Sequence, residues 1–137
     1  MVEKVREYMY KNDRLFELLG VSILEMKEGY AKVEMVVKEE HLNAAKVCHG
    51  GILFSLADLA FALASNSHGK LVLAIEVSIT YMRPAFEGEK LIAEAKEVNL
   101  GKRTATYLME VKNSKNELVV LAKGTVYRME KDFPPIS

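Results

Sequence analysis

Residues 50–67, GGILFSLADLAFALASNS, constrain the fold more than any other part of this chain. Asp58 is their only ionisable side chain, and apolar or small residues occupy every side of a helix drawn through them. A helix that is apolar all round has to be buried on all sides. A membrane span does not fit, because the segment is near the lower length limit and a central carboxylate costs roughly 2.5 to 3.5 kcal/mol on insertion. The segment therefore predicts a long helix inside a globular core.

The flanking sequence predicts one further helix and a set of strands. Between residues 2 and 19, apolar residues recur at spacings of three, four and seven, which is typical of an amphipathic helix, and Gly20 ends it. Alternating apolar and polar residues then predict one strand up to residue 37, with a kink or bulge at Gly29. Turn signals at a pitch of roughly a dozen residues favour a meander of four long antiparallel strands. These four runs are 71–83, 89–99, 103–113 and 118–129.

This order of elements predicts an α+β protein with a five-stranded antiparallel sheet. The chain has 137 residues, too few for a second independent core, so residues 1–137 are expected to form one domain. A sheet curled around the apolar helix covers most of that helix. A second copy of the chain can cover the rest, and we therefore expect a dimer.

Composition limits the partners and the compartment. Lys plus Arg and Asp plus Glu number 19 each, with no basic run, so we expect no nucleic-acid partner. Cys48 is the only cysteine and the first residues are charged, which favours a reducing cytoplasm and no signal peptide. The three histidines have no short ligand spacing, so no metal site is expected. Because residues 50–67 do not fit a membrane span, no membrane association is expected.

Asp58 and the two glycines at the start of the apolar segment suggest acyl-transfer chemistry. A buried carboxylate is either catalytic, or it accepts hydrogen bonds from a neighbouring subunit and only stabilises the dimer. Gly50 and Gly51 open the predicted helix, where unpaired N–H groups and the positive end of the dipole can stabilise an oxyanion. Eight positions separate Gly50 from Asp58, about 12 Å along a helix. One chain can therefore hardly supply both groups to one substrate, and we expect each active site to be shared between two subunits.

Several other candidate residues allow either a functional or a structural interpretation. His49 is either a base or a structural histidine that donates to a backbone carbonyl. Asn43 either orients water or substrate, or forms an Asx turn. Cys48 lacks a third orienting group, which argues against a cysteine nucleophile. Lys102 and Arg103 form either a phosphate contact or a solvated turn.

The segment LNAAKVCHGGILFSLADLAFALASNSHG, taken with VSITYMRPA, resembles the hotdog-fold thioesterases of the phenylacetic-acid-degradation (PaaI) type, which hydrolyse acyl-coenzyme A thioesters. The resemblance covers nearly the whole chain. It implies a hotdog fold, with the sheet wrapped around the long buried helix and an additional N-terminal helix. It also implies a homotetramer built from two hotdog dimers, no cofactor apart from the coenzyme A of the substrate, and aryl-acetyl groups as candidate acyl groups.

Roles follow from the resemblance position by position. Asp58 matches the nucleophile or general base, and the Gly50 N–H matches the group that polarises the thioester carbonyl. Asn43 and His49 match residues that support that site. Ala74 stands where some animal relatives have a catalytic-site serine, so this chain has no hydroxyl there. The residues that match coenzyme A contacts are Tyr81, Arg83, Pro84, Asn99, Gly101, Lys102 and Arg103.

The sequence thus predicts an acyl-CoA thioesterase. A non-catalytic hotdog protein that binds acyl-CoA or aromatic ligands is the alternative from another class. A hotdog hydratase or dehydratase is a second alternative, and it would need a histidine with an acidic partner over the α and β carbons of the substrate.

Overall fold

The computed structural model describes residues 1–135. A short 3₁₀ turn at Glu39–His41 precedes the long central helix. The helices are α1 (Val2–Asn12), α2 (Leu15–Leu19) and α3 (Gly50–Asn66). The strands are β1 (Ser22–Lys27), β2 (Tyr30–Val36), β3 (Lys70–Tyr81), β4 (Lys90–Leu100), β5 (Thr104–Lys112) and β6 (Leu118–Asp132).

The predicted apolar helix is confirmed as α3, which packs against the inner face of the sheet. Its buried residues include Leu56, Phe61 and Leu63, each at most 1% exposed. One side of the helix is not covered by its own chain. This open stripe contains residues at helical spacing that are half-buried or exposed: Gly51, Phe54, Ser55, Asp58 and Ala62.

All six strands form one antiparallel sheet in the order β1-β2-β4-β5-β6-β3. The predicted α+β class is confirmed, but the sheet has six strands where the sequence predicts five. The difference lies at Gly29, which has a φ of 74° and is neither a kink nor a bulge. Glu28 and Gly29 form a turn that folds the expected single strand into the β1–β2 hairpin.

The predicted four-strand meander is correct only for β4, β5 and β6. Strand β3 does not pair with β4, the next strand in sequence; it pairs with β6 and forms one edge of the sheet. Along this edge Leu73 and Ile75 are 56% and 59% exposed. An edge strand offers unpaired backbone groups, so β3 can extend the sheet by pairing with another chain.

The predicted N-terminal helix is two helices, because α1 ends at Asn12 and α2 begins at Leu15. Asp13 makes the break, and its carboxylate accepts a hydrogen bond from the Leu15 N–H at 3.1 Å. Gly20, in the left-handed conformation, ends α2 as expected. Both helices contact α3. Within residues 1–135, no helix combines the length and apolarity needed to cross a membrane.

Candidate active site

His49 caps the first turn of α3. Its Nδ1 accepts a hydrogen bond from the Gly51 N–H at 2.9 Å, so this ring nitrogen carries no proton. The His49 carbonyl accepts from the N–H groups of Ile52 and Leu53 at 2.9 and 3.1 Å. Among residues 1–135 the Gly50 N–H has no acceptor, and it lies at the positive end of the helix dipole. This N–H group is thus available to an oxygen atom outside the chain.

Asp58 lies on the open stripe of α3, where its carboxylate makes no hydrogen bond or ion pair with residues 1–135. Burial raises the pKa of this carboxyl group, and the negative charge of Asp13 raises it further. A carboxylate with a raised pKa is a stronger base than an exposed one. The structure therefore leaves the Asp58 oxygens free and their basicity increased.

Both groups lie on α3, eight residues apart, and the rise of the helix separates them by about 12 Å. Within one chain the structure does not bring them to a common reacting centre, which would need both within roughly 3 Å of it. This separation is what the sequence predicts.

Asn43 structures the loop in front of α3. Its Oδ1 accepts from the N–H groups of Ala45 and Val47 at 2.9 and 3.3 Å, which is the Asx-turn geometry. The loop is held to the rest of the chain by the His49 N–H, which donates to the His41 carbonyl at 2.8 Å. The Asn43 side-chain oxygen is therefore engaged by its own loop.

The first group of predicted coenzyme A contacts lies beside the start of α3. Tyr81, Arg83 and Pro84 line a cavity of about 340 Å³ together with Cys48 and Gly50. The Tyr81 hydroxyl donates a hydrogen bond to the Gly50 carbonyl at 3.1 Å.

The guanidinium of Arg83 is hydrogen-bonded to other groups of the same chain. Its Nε donates to the Leu118 carbonyl at 2.9 Å, and one terminal nitrogen lies 3.3 Å from the Glu117 carboxylate. Tyr81 is thus the member of this group that contacts the start of α3 directly.

The second predicted group lies at the turn between β4 and β5, where Asn99 is exposed. Lys102 and Arg103 line a cavity of about 500 Å³ with two further cations, Arg128 and Lys131, which are not among the predicted contacts. Arg128 donates to the Gly101 carbonyl at 2.9 Å. Pairing of β6 with β5, together with a hydrogen bond from the Arg128 N–H to the Arg103 carbonyl at 2.7 Å, brings these charges together. No sequence motif could therefore have indicated them.

In one chain the two predicted coenzyme A groups are far apart. Val72, near the start of β3, pairs with Arg128, whereas Tyr81, at the end of β3, pairs with Val120. The two positions are nine residues apart along the strand, a distance of roughly 30 Å. The structure therefore does not bring the predicted contact residues into one pocket of a single chain.

The structure gives less support to a cysteine nucleophile or to a metal centre. Burial raises the pKa of the Cys48 thiol to about 11, which disfavours the nucleophilic thiolate. Among residues 1–135, no group of three or more His, Cys, Asp or Glu side chains is placed to hold a metal ion.

Comparisons with known proteins agree with this fold. Residues 45–120 match the family model of the thioesterase superfamily. A protein of Archaeoglobus fulgidus that carries an esterase name is 82% identical over 137 residues, which are 100% of this chain and 89% of that protein. The acyl-coenzyme A thioesterase PaaI of Escherichia coli is 43% identical over 121 residues, 88% of this chain and 86% of that protein.

Solved structures give the same result. The E. coli PaaI protein from the phenylacetic acid degradation operon superimposes with a TM-score of 0.93 at 40% identity, covering 96% of this chain and 95% of that one. A Streptococcus mutans protein bound to acetyl CoA gives a TM-score of 0.78 at 26% identity, covering 80% and 88%. The chain therefore belongs to the thioesterase superfamily, and it is a hotdog-fold acyl-CoA thioesterase of the PaaI type.

Proposed function

We propose that the chain hydrolyses acyl-CoA thioesters with Asp58 as nucleophile or general base and the Gly50 N–H as the group that polarises the thioester carbonyl. One observation carries this proposal. The same helix presents a carboxylate with no partner in residues 1–135 and, at its start, an N–H group with no acceptor there. A base or nucleophile and an oxyanion donor are the two groups that thioester hydrolysis requires.

As a general base, Asp58 takes a proton from water while the hydroxide oxygen bonds to the carbonyl carbon. Negative charge then develops on the carbonyl oxygen, where the Gly50 N–H stabilises it. When the carbon–sulfur bond breaks, the coenzyme A sulfur leaves and takes up the proton. As a nucleophile, Asp58 bonds to the carbonyl carbon itself, and the carbon–sulfur bond breaks so that coenzyme A leaves as a thiolate. Water then hydrolyses the resulting anhydride, which restores the Asp58 carboxylate, and the proton released is taken up by the thiolate. Both routes yield the free acid and coenzyme A.

The proposed site is formed by two copies of the chain related by a two-fold axis. If β3 pairs antiparallel with β3 of a second copy, the start of one strand lies beside the end of the other. This pairing brings the cations around Lys102 of one copy toward Tyr81 of its partner, and it covers the open stripe of α3. It also allows Asp58 of one copy to lie beside Gly50 of the other. The separation of about 12 Å between these residues along one helix then no longer keeps them from acting on the same substrate.

The substrate class follows from the same arrangement. Lys102 and Arg103, with Arg128 beside them, offer positive charge to the phosphates of coenzyme A. We expect the acyl group to lie toward Leu53, which lines the cavity beside the start of α3, and the half-buried Phe54. Aryl-acetyl thioesters are our first choice of substrate because the relative from E. coli belongs to a phenylacetic acid degradation operon.

The proposal is tested with Asp58→Asn, which keeps the shape of the side chain but removes its base and nucleophile. We expect kcat/KM for a panel of acyl-CoA thioesters, measured by release of free thiol, to fall by roughly 10²- to 10⁴-fold. Circular dichroism checks that the variant is folded. Thiol release within a few-fold of wild type in the folded variant would exclude Asp58 as the reacting group.

The oxyanion donor has its own matched pair of variants. Proline is well tolerated at the first position of a helix, and the extended ψ of 137° at His49 suits a residue before proline. Gly50→Pro therefore removes the N–H with little effect on the helix, and we expect kcat to fall by roughly 10²- to 10³-fold. Gly50→Ala retains the N–H, and its Cβ would meet the Tyr81 ring at an ordinary 3.4 Å. Equal activity in both variants would argue against an oxyanion role.

A further inference from the structure

A single peptide group in the first turn of α3 is held at both of its ends by side chains. The carbonyl of this Gly50–Gly51 peptide accepts a hydrogen bond from the Tyr81 hydroxyl at 3.1 Å. Its N–H donates to Nδ1 of His49 at 2.9 Å. Because a peptide group is planar, these two contacts together determine the orientation of its plane.

This location is where the helix has the least rigidity of its own. Two consecutive glycines have more conformational freedom than any other pair, and helix ends fray. His49, whose N–H is bonded to the His41 carbonyl, ties this turn to the loop in front of α3 and not to the sheet. Tyr81 lies at the end of β3 and is paired with Val120 of β6, so its hydroxyl links the first turn of α3 to the sheet.

The Tyr81 ring also limits how the turn can move. A Cβ placed on Gly50 would lie 3.4 to 3.6 Å from three atoms of Tyr81, so the ring packs directly against this glycine. The adjoining peptide, between His49 and Gly50, carries the N–H that has no acceptor within residues 1–135. The two peptides share the Cα of Gly50, and Tyr81 holds this residue through its ring and its hydroxyl, so Tyr81 limits how far Gly50 and its N–H can shift relative to the sheet.

We infer that Tyr81 is a positioning residue that aims the Gly50 N–H at the thioester carbonyl. This inference rests on the proposed function and goes beyond it, since the family resemblance implies only a coenzyme A contact for Tyr81. A coenzyme A contact acts on substrate binding. A positioning role acts on the step in which charge develops on the carbonyl oxygen, because the oxyanion needs a well-aimed donor more than the ground-state carbonyl does.

Tyr81→Phe is the test, because it removes one hydroxyl from a half-exposed side chain and retains the ring. We expect kcat to fall by roughly three- to tenfold, in line with one neutral hydrogen bond, and KM for acyl-CoA to change by less than about twofold. An increase in KM at constant kcat would make Tyr81 a coenzyme A contact only and overturn the inference. Unchanged kcat and KM would overturn it as well.

A double-mutant cycle separates positioning from general support of the fold. In a Gly50→Pro background the N–H that Tyr81 aims is absent, so adding Tyr81→Phe should lower kcat no further. The full three- to tenfold additional loss would show that Tyr81 acts elsewhere and overturn the inference. The proposed function fails separately: if Gly50→Pro alone retains normal kcat, the donor assignment is wrong whatever Tyr81→Phe shows.

Discussion

At the scale of single residues, the carboxylate of Asp58 on the open stripe of α3 lies in surroundings that disfavour its negative charge. Burial and the charge of Asp13 both raise the pKa of Asp58, so the folded chain holds this proton more tightly than the unfolded chain does. Ionisation of Asp58 therefore lowers the free energy of unfolding as pH rises from the unfolded pKa through the folded pKa. The destabilisation is complete above both values and absent below both.

Asp58→Asn should accordingly stabilise the protein while it abolishes activity. At neutral pH the variant lacks the buried charge, and we expect its Tm to lie above that of the wild type at equal protein concentration. Below about pH 3.5 both side chains are neutral, so the difference in Tm should disappear. Thermal unfolding of the two proteins between pH 3 and 8 measures this. A variant less stable than wild type at neutral pH would mean that Asp58 has a stabilising partner in the assembled protein.

Asp58 could be predicted from the sequence because it is the only ionisable residue in an apolar segment. The neighbour that shifts its pKa could not be predicted. Asp13 lies 45 positions earlier and approaches Asp58 only because α1 and α2 pack on α3. The contact between Tyr81 and Gly50 was unpredictable for the same reason, since it depends on which strand flanks the start of α3.

At the scale of elements, α3 packs tightly against β6 of the sheet at Gly124. The ring of Phe61, 1% exposed, lies there, and its edge contacts the Tyr107 ring at 5.7 Å between centroids. A Cβ on Gly124 would come within 2.6 to 3.0 Å of three atoms of the Phe61 ring. The ring is enclosed and cannot easily move aside, so the absence of a side chain at Gly124 makes room for the Phe61 ring.

Gly124→Ala should therefore destabilise the fold by overpacking. We expect the free energy of unfolding to fall by about 1 to 3 kcal/mol, measured by urea denaturation. Phe61→Leu shortens the side chain that would clash, and the double variant should lose less stability than the sum of the two single changes. Additive losses would mean that the Gly124 and Phe61 sites do not interact.

The helices and most strands could be predicted because hydrophobic periodicity is local. The β1–β2 hairpin could not be distinguished from one bulged strand, since Glu28–Gly29 lacks the Asn-Gly or Asp-Gly pair typical of a two-residue turn. The edge position of β3 is not local either. It depends on the pairing of β3 with β6, and these strands are far apart in the sequence: Lys70, for example, pairs with Asp132.

At the scale of the whole molecule, the two-fold axis that we propose would account for three separate features of the single chain. Asp58 and Gly50 are too far apart on α3 to act together, and the two groups of expected coenzyme A contacts lie at opposite ends of β3. The open stripe of α3 and the exposed apolar residues Leu73 and Ile75 both lack cover within the chain. Antiparallel pairing of two β3 edges addresses all three, which is why we propose a shared site.

A mixed dimer tests the shared site directly. We propose to co-express Asp58→Asn and Gly50→Pro chains that carry different affinity tags, after showing that each alone is inactive, and to isolate dimers that hold one chain of each kind. In a shared arrangement one site of the mixed dimer receives both lesions, and the other combines the intact Asp58 of one chain with the intact Gly50 of its partner.

The isolated mixed dimer should then show about half of wild-type kcat, and an unsorted random mixture about a quarter. Its KM should equal that of wild type, because the surviving site is unaltered. Two control mixtures, each chain variant with itself under both tags, should stay inactive and so exclude effects of tagging. If each site lay within one chain, every site of the mixed dimer would carry one lesion. Mixed dimers as inactive as the controls would therefore disprove the two-chain site.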